Sequence, residues 1–404
     1  MIQSLRGMND LFDDESRRFS FFISTATAIA KRYGFEYIQT PILEETALFK
    51  RSVGESSDIV GKEMYRFQDK GENDVCMRPE GTAGVVRAFV QKKLDRAGGK
   101  HRYFYYGPMF RYERPQKGRL RQFHQFGAES FGTASVYEDL TVLLLIRDIL
   151  SALGVGYRLK LNSLGCPTCM PPYREKLVNF VQAHVEHVCE DCKRRVELNP
   201  IRVLDCKNES CQILYKNAPK LVSHLCESCD ADFAKLTQLL TQMGIAFEID
   251  THLVRGLDYY SKTAFEFVSD GIGAQNAIAG GGRYDRLVEF LDGKATPAVG
   301  FAIGIERILE LIQMPQGTTP LYYFGAMQEE HIDTLFMLAQ QKRQNARVHI
   351  EYEPRSFAKH LNNAQKIGAH FCMILGENEI QSQTIWAKNL VQNSESTLPW
   401  DELL

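Results

Sequence analysis

The sequence predicts an α+β chain. A domain built on an antiparallel sheet is interrupted by a helical insertion and followed by a small α/β domain. Three observations predict it. Two aromatic-rich strand patterns, residues 102–113 and 122–131, flank a polar loop and suggest an antiparallel pair. Residues 166–250 then change texture, with eight of the ten cysteines and mostly helical spacing. Beyond residue 320, strand and helix patterns alternate over about 85 residues. A chain of 404 residues has room for two or three domains at ~150 residues each.

Each element follows from local signals. Residues 16–33 carry apolar side chains at helical spacing, and Gly34 is placed to cap that helix. Residues 35–39 alternate like a strand that stops before Pro41. A helix is expected over 81–94, the two long strands next, then a helix over 136–153 and a strand over 157–161. The insertion shows helices over 173–188 and 232–243. A strand over 263–268 precedes Gly280, Gly281 and Gly282, whose local reading is a tight turn, although glycines also let backbone approach a ligand closely. A helix from Tyr284, a strand over 298–302 and a helix over 305–312 follow. Residues 314–320 read as a linker. The last domain shows strands over 321–325, 347–352 and 371–375 and helices over 331–342 and 355–367.

Composition bounds the function. Hydrophobic residues are 44% and charged residues 24%, which argues for a folded globular chain over disorder. Lys and Arg number 48 against 50 Asp and Glu, so a uniformly basic nucleic-acid coat is excluded and a local patch is not. No run approaches the ~18 apolar residues of a membrane span, and the N-terminal MIQSLRGMND lacks the apolar core of a signal peptide. The expectation is a cytoplasmic chain with no membrane partner, in which paired cysteines point to metal, catalysis or burial.

The polar loop is strongly basic. Between Lys100 and Arg121 stand seven Lys or Arg and one acid, Glu113. A solvated hairpin tip would explain that much. Strand alternation, however, would put Arg111 and Glu113 on one face and Phe123 and Gln125 on one face of the returning strand. A guanidinium fork suits phosphate, and a phenyl face suits a purine. The string FRYERPQKGRLRQFHQFGAE resembles motif 2 of class II aminoacyl-tRNA synthetases, in particular the histidyl-tRNA synthetase family. YGFEYIQTPILE resembles motif 1, and AVGFAIGIERIL resembles motif 3. LVRGLDYY and AGGGRYD resemble strings particular to the histidine enzymes. All five occur in the family's order across nearly the whole chain.

The resemblance implies a class II catalytic domain over 1–165 and 251–315, a Cys-rich helical insertion over 166–250, and an anticodon-binding domain over 319–404. It implies ATP-dependent ligation of L-histidine to tRNA(His) through a histidyl-adenylate, releasing AMP and diphosphate. Arg111 and Arg255 would act at the α-phosphate, Arg111 bridging it to the substrate carboxylate. Arg119 and Arg307 would meet the γ-phosphate end, Phe123 would stack on adenine, and Glu113 would accept from its exocyclic amine. Glu80, Thr82 and Gln125 would grip the α-amino group of histidine. Glu129 and Tyr260 would bond the two imidazole nitrogens, and Tyr259 would line the pocket. Arg283 is a further candidate. Arg114 and Gln116 would meet the tRNA acceptor end. Magnesium is expected with the ATP phosphates, and motif 1 implies a homodimer. Taken singly, these residues have plainer readings: Arg255 as a surface ion-pair residue, Glu129 as a strand-face acid, Tyr259 and Tyr260 as core aromatics.

The last domain carries seven basic and ten acidic residues, so its overall charge does not betray RNA binding. Between Lys342 and Lys366, six basic residues face two acids, which suits phosphates or simply a solvated helix face. The insertion's cysteines fall in four pairs: Cys166 and Cys169, Cys189 and Cys192, Cys206 and Cys211, Cys226 and Cys229. That spacing resembles thiolate sites for structural zinc, against buried free thiols or redox pairs, and it leaves open which pairs combine. Two rival functions remain in view. One is a catalytically silent, histidine-binding regulatory relative of the synthetases, which would lose the active-site arginines and the last domain. The other is a zinc-ribbon nucleic-acid binder, which would leave residues 1–160 unexplained.

Overall fold

The computed structural model describes residues 2–54, 57–116, 118–206, 208–254, 257, 259–272, 276–314 and 319–403. The chain divides into two units, Met1–Gln313 and Met314–Leu404. No helix among the described residues is long and apolar enough to cross a membrane.

The larger unit begins with a helix, Asp13–Arg32, that buries Phe22, Ala26, Ile29 and Ala30. Three acids open it and Lys31 and Arg32 close it, each complementing the helix dipole. Gly34 ends it at φ +76°, a conformation that costs glycine little. The strands are β1 (Glu36–Tyr37), β2 (Leu43–Glu45), β3 (Arg66–Gln68), β4 (Asp74–Met77), β5 (His101–Phe110), β6 (Gln122–Phe131), β7 (Arg158–Ser163), β8 (Glu248–Ile249), β9 (Ser261–Val268), β10 (Ala277–Arg283) and β11 (Ala298–Gly304). Eight form one sheet in the order β1-β5-β6-β11-β10-β9-β7-β8, antiparallel from β5 through β7 and parallel at both ends. The strand expected over 35–39 is thus only a two-residue parallel edge on β5. Phe104 of β5 stacks on Phe126 of β6 at 5.7 Å, and Phe22 of the first helix meets Phe126 edge-on at 6.0 Å.

Two expectations need correction. Gly280, Gly281 and Gly282 form no turn; they lie inside β10. The reason is close packing across the sheet, because a Cβ on Gly281 would lie 2.1 Å from the Gly300 carbonyl oxygen and 2.8 Å from the Phe265 ring. Arg111 and Glu113 are not on a strand face, because β5 ends at Phe110. The Glu113 N–H turns back to the Arg111 carbonyl at 2.8 Å, a bend that no extended strand makes. The small sheet β2-β4-β3 was not anticipated at all.

Helix Val136–Ala152 is capped by the Ser135 hydroxyl, which accepts from the Tyr137 N–H. From this helix Asp139 meets Arg283 at the end of β10. Both side chains are almost fully buried, and Arg283 also bonds the Thr133 and Ser135 carbonyls and Asp285. Arg283 is therefore held in the core rather than presented to a ligand. Asp139→Ala should strip a buried guanidinium of its carboxylate and cost about 3–5 kcal/mol. Urea unfolding of the larger unit measures it, and a loss below about 1 kcal/mol would show the pair to be dispensable.

The insertion is helical: Met170–Ala183, Glu190–Leu198, Glu209–Tyr215 and Glu227–Gln242, joined by short 3-10 turns. Tyr173, Leu177, Val203 and Tyr215 form its own core. The smaller unit holds β12 (Leu321–Ala326), β13 (Arg347–Glu351), β14 (Phe371–Leu375), β15 (Thr384–Asn389) and β16 (Ser394–Pro399) in the order β13-β12-β14-β15-β16. The first three are parallel, and the last two, not expected from the sequence, run antiparallel.

Candidate active site

The β5–β6 hairpin, β9, β10, β11 and the start of helix Thr82–Gln91 wall a cavity of about 220 Å³. Arg111, Glu113, Arg119 and Phe123 of the hairpin line it, as do Glu80, Thr82, Gln125, Tyr259, Tyr260 and Arg307. Residues as far apart in sequence as 80 and 307 thus share one cleft.

One end is cationic. The Arg111 Nε donates to the Pro79 carbonyl at 2.9 Å, and its guanidinium lies over the Phe123 ring at 5.2 Å. The loop closes through paired backbone bonds between Gln116 and Arg119, with Gly118 at φ +74°. Arg119 reaches Glu113 at 3.0 Å, and Arg111 stands 3.9 Å from the same carboxylate. Arg307, from helix Ile305–Leu309, donates through Nε to the Gly118 carbonyl at 3.1 Å. Burial, then the charges of Arg119 and Arg111, push the Arg307 pKa down. Three guanidinium groups held near enough to repel one another gain most when an anion enters between them. Glu306, beside Arg307, accepts from the backbone N–H and ring Nδ1 of His124, each at 2.8 Å, which pins that helix to β6.

The other end is buried and rich in hydroxyls. The Glu80 carboxylate accepts the backbone N–H groups of Thr82 and Ala83, each at 2.8 Å, and so caps helix Thr82–Gln91. Burial raises its pKa. Glu129 is fully buried and is not among the residues that line the cavity. Its carboxylate accepts from Thr82 Oγ1 at 2.8 Å, from the Tyr105 hydroxyl at 3.2 Å and from the Tyr284 hydroxyl. Burial pushes its pKa up to about 8, the hydroxyl donors oppose that rise, and nearby Glu80 adds to it. A Cβ on Gly300 would sit 1.7 Å from Glu129 Oε2, so only glycine leaves that carboxylate room. The buried Gln125 Oε1 makes no hydrogen bond among the described residues, although such atoms are rarely left unpaired.

Arg255 lies outside the described residues; Leu257, Tyr259 and Tyr260 of the same segment line the cavity. Arg114 and Gln116 are exposed on the hairpin loop and do not line it. Sequence reasoning missed Tyr105 and Tyr284 as partners of Glu129. Tyr284 stands within AGGGRYD, so a signal existed for it. It also missed Arg195 and Arg202 of the insertion. These line a second cavity, of about 170 Å³, together with Arg111, Glu113 and Arg119.

The eight insertion cysteines gather as two quartets, Cys166, Cys169, Cys226 and Cys229, and Cys189, Cys192, Cys206 and Cys211. Within each quartet all sulfur atoms lie within 4.8 Å of one another.

Comparison with known proteins places the chain among relatives of one family. A family model described as histidyl-tRNA synthetase matches residues 7–170 and 186–308, and one described as anticodon binding domain matches residues 316–404. The histidine–tRNA ligase of Sulfurimonas denitrificans is 67% identical over 398 residues, covering 98% of this chain and 99% of that protein. That of Sulfurovum sp. is 62% identical over 403 residues, the full length of both. The structure of apo S. aureus histidyl-tRNA synthetase superposes with a TM-score of 0.83 at 31% identity, covering 100% of this chain and 98% of that one. A Bacillus halodurans protein described as an ATP phosphoribosyltransferase regulatory subunit/histidyl-tRNA synthetase shares the fold, with a TM-score of 0.65 at 21% identity over 90% of this chain and 96% of that one.

Proposed function

Because the chain belongs to the histidyl-tRNA synthetase family, we propose a role for each residue of its cavity in the two steps of that family's reaction. The chain ligates L-histidine to tRNA(His) with ATP. In the first step the histidine carboxylate attacks the α-phosphorus of ATP, forming histidyl-adenylate and expelling diphosphate. In the second, a ribose hydroxyl at the tRNA 3′ end attacks the acyl carbonyl and AMP leaves.

The first step brings two anions together, so its main need is positive charge in fixed places. Arg111 bridges the carboxylate and the α-phosphate, and Arg255 is given a role at the same phosphate. Arg307 and Arg119 take the γ-phosphate end. Phe123 stacks on adenine and Glu113 accepts from its exocyclic amine. Glu113 is paired with Arg119 in the present geometry, so nucleotide entry exchanges that ion pair for an arginine–phosphate bond. Magnesium would come with the β,γ-phosphates of ATP, whose charge it would screen.

For histidine, Gln125 supplies its unpaired oxygen to the α-amino group, beside Glu80 and Thr82. Glu129 and Tyr260 bond the two imidazole nitrogens and Tyr259 closes the pocket. A carboxylate has about four acceptor sites. Thr82, Tyr105 and Tyr284 take three, which leaves one for an imidazole N–H. Any amino acid without a matching donor leaves that site unpaired, and this penalty is the source of selectivity.

Arg114 and Gln116 meet the acceptor end of the tRNA, and the smaller unit takes the anticodon. In that unit Arg355 is engaged with Glu351 and Glu353, while Phe336, Met337 and Tyr352 are exposed. Binding there should weaken with salt. Motif 1 builds a homodimer, the cysteine quartets hold structural zinc that takes no part in the chemistry, and the chain works in the cytoplasm. The catalytic domain spans 1–165 and 251–315, the insertion 166–250 and the anticodon-binding domain 319–404.

One observation carries this reading: two arginines of the β5–β6 hairpin and Arg307, almost 190 residues further on, line one cleft with a phenyl ring and a buried amide oxygen that has no hydrogen-bond partner among the described residues. Histidine-dependent exchange of labelled diphosphate into ATP, followed by charging of tRNA(His), tests it. Arg255→Ala should cut the exchange by about 10²–10³-fold while the protein stays folded; near-normal exchange would refute the role given to Arg255.

A further inference from the structure

We propose that the insertion carries two independent mononuclear zinc sites, nested so that the outer cysteine pairs close its base and the inner pairs close its tip. This deepens, and rests on, the structural-zinc reading above. Four pairs can combine into two quartets in three ways. The structure selects one: Cys166 and Cys169 with Cys226 and Cys229, and Cys189 and Cys192 with Cys206 and Cys211.

The spacing fits a single ion in each. Zinc–thiolate bonds of about 2.3 Å place the sulfurs of a tetrahedron about 3.8 Å apart. Cys166 Sγ lies 3.7 Å from both Cys169 Sγ and Cys226 Sγ, and Cys189 Sγ lies 3.7 Å from Cys206 Sγ. A disulfide needs sulfurs about 2.05 Å apart, and all eight of these cysteines are free. A cubane iron–sulfur cluster would spread its four thiolates wider than these quartets allow. Zinc is favoured over a lone iron because histidine ligation needs no electron transfer.

The backbone around both quartets suits metal ligation. Cys169, Cys189 and Cys226 each stand at the N-terminus of a helix, Met170–Ala183, Glu190–Leu198 and Glu227–Gln242 respectively. Helix N-termini stabilise thiolate charge. Backbone N–H groups also point at sulfur: Cys226 to Cys169 at 3.1 Å and Cys189 to Cys211 at 3.2 Å. Such outer bonds are the usual support of ligand sulfurs. Four thiolates in a half-buried pocket repel strongly without a cation between them.

Each site has a distinct place. The base site joins residue 166, just past β7, to the start of the helix that leads to β8. Next to it, Leu164 and Gly165 exchange 2.6 Å backbone bonds with Lys262 of β9, and Lys262 reaches Asp232 at 3.0 Å. The tip site clamps helix Glu190–Leu198 against the turn Pro200–Asp205, which together carry Arg195 and Arg202 to the second cavity.

The test uses the full chain, purified under reducing conditions without chelator. Elemental analysis should give two zinc and no iron per chain, and X-ray absorption at the zinc edge should give four sulfur neighbours at about 2.3 Å. Cys166→Ser with Cys226→Ser removes ligands from one site and should leave one zinc. Cys166→Ser with Cys189→Ser strikes both sites and should leave none. Wild-type protein without zinc, or with iron instead, overturns the zinc reading itself. Two zinc in wild type but none retained by the Cys166→Ser, Cys226→Ser protein, or one retained by the Cys166→Ser, Cys189→Ser protein, overturns the nested pairing alone. If the variants fail to fold, the wild-type spectrum still decides: a short zinc–zinc distance or fewer than four sulfurs overturns two independent sites.

Discussion

Arg111→Lys is expected to lower histidine-dependent diphosphate exchange by about 10²–10³-fold, mainly through kcat, with the fold intact. Lysine keeps the charge, so the prediction turns on geometry. The Arg111 guanidinium is docked by its Nε on the Pro79 carbonyl and by its face over Phe123. That fixes the plane of a guanidinium that lines the cavity, with Nη1 3.9 Å from Glu113. An ammonium on a flexible stem cannot hold a backbone carbonyl and two substrate oxygens together. Charge on those oxygens is redistributed as the carboxylate meets phosphorus, so the fork matters most in the transition state. Arg119→Lys provides the contrast. Its side chain is 42% exposed and, among the described residues, its ion pair is with Glu113, so a loss of tenfold or less is expected. Equal losses for the two variants would show that charge alone matters and would remove the special role of Arg111.

The contrast between Arg111 and the glycine run shows what the sequence made legible. The β5–β6 hairpin could be read because aromatic alternation and a basic loop are local signals, and β6 falls where the alternation put it, at Gln122–Phe131. Gly280, Gly281 and Gly282 misled because their cause is not local. They are small so that β9 and β11 can close on either side, and nothing in a window of ten residues records that. Strands β2, β3 and β16 were missed for another reason. They are short and mostly exposed, with no apolar alternation to betray them. The site divides along the same line. Family strings pointed to the residues that line the cavity, but not to the bonds between them. Glu129 takes its donors from Thr82, Tyr105 and Tyr284, which lie on three separate elements or turns. The partnering of cysteine pairs had the same character, since all three combinations were open until distances were known.

L-Histidine should bind best between about pH 6.5 and 8, and the Glu129→Gln protein should lose the upper limit of that window. The Glu129 carboxyl is pushed up to about 8, chiefly by burial, while a free imidazole titrates near 6.5. In the proposed complex the carboxylate and the imidazole share one proton. Between those two values the protein brings that proton and histidine brings none, so affinity is flat. Above about pH 8 the proton must come from solvent, and affinity should fall up to tenfold per pH unit. Below about pH 6.5 both partners bring one and one must leave, so affinity falls again. Titration calorimetry of L-histidine without ATP reads this directly. Glu129→Gln should weaken binding by about 10–100-fold, the worth of a hydrogen bond to a charged group, and its dissociation constant should lack the added fall above pH 8. Other titrating groups, such as the α-amino group of histidine, act on both proteins alike, so the difference between the two curves isolates Glu129. The same shift has a consequence for stability. A native carboxyl raised from its model value of 4.5 to about 8 holds its proton longer than the unfolded chain does. The ligand-free protein therefore loses stability as pH climbs through that interval, and Glu129→Gln should flatten the loss. A wild-type binding curve with no fall above pH 8 beyond that of the variant would mean that Glu129 is already ionised in the free protein. The three hydroxyls would then outweigh its burial, and imidazole recognition would draw on an ordinary carboxylate.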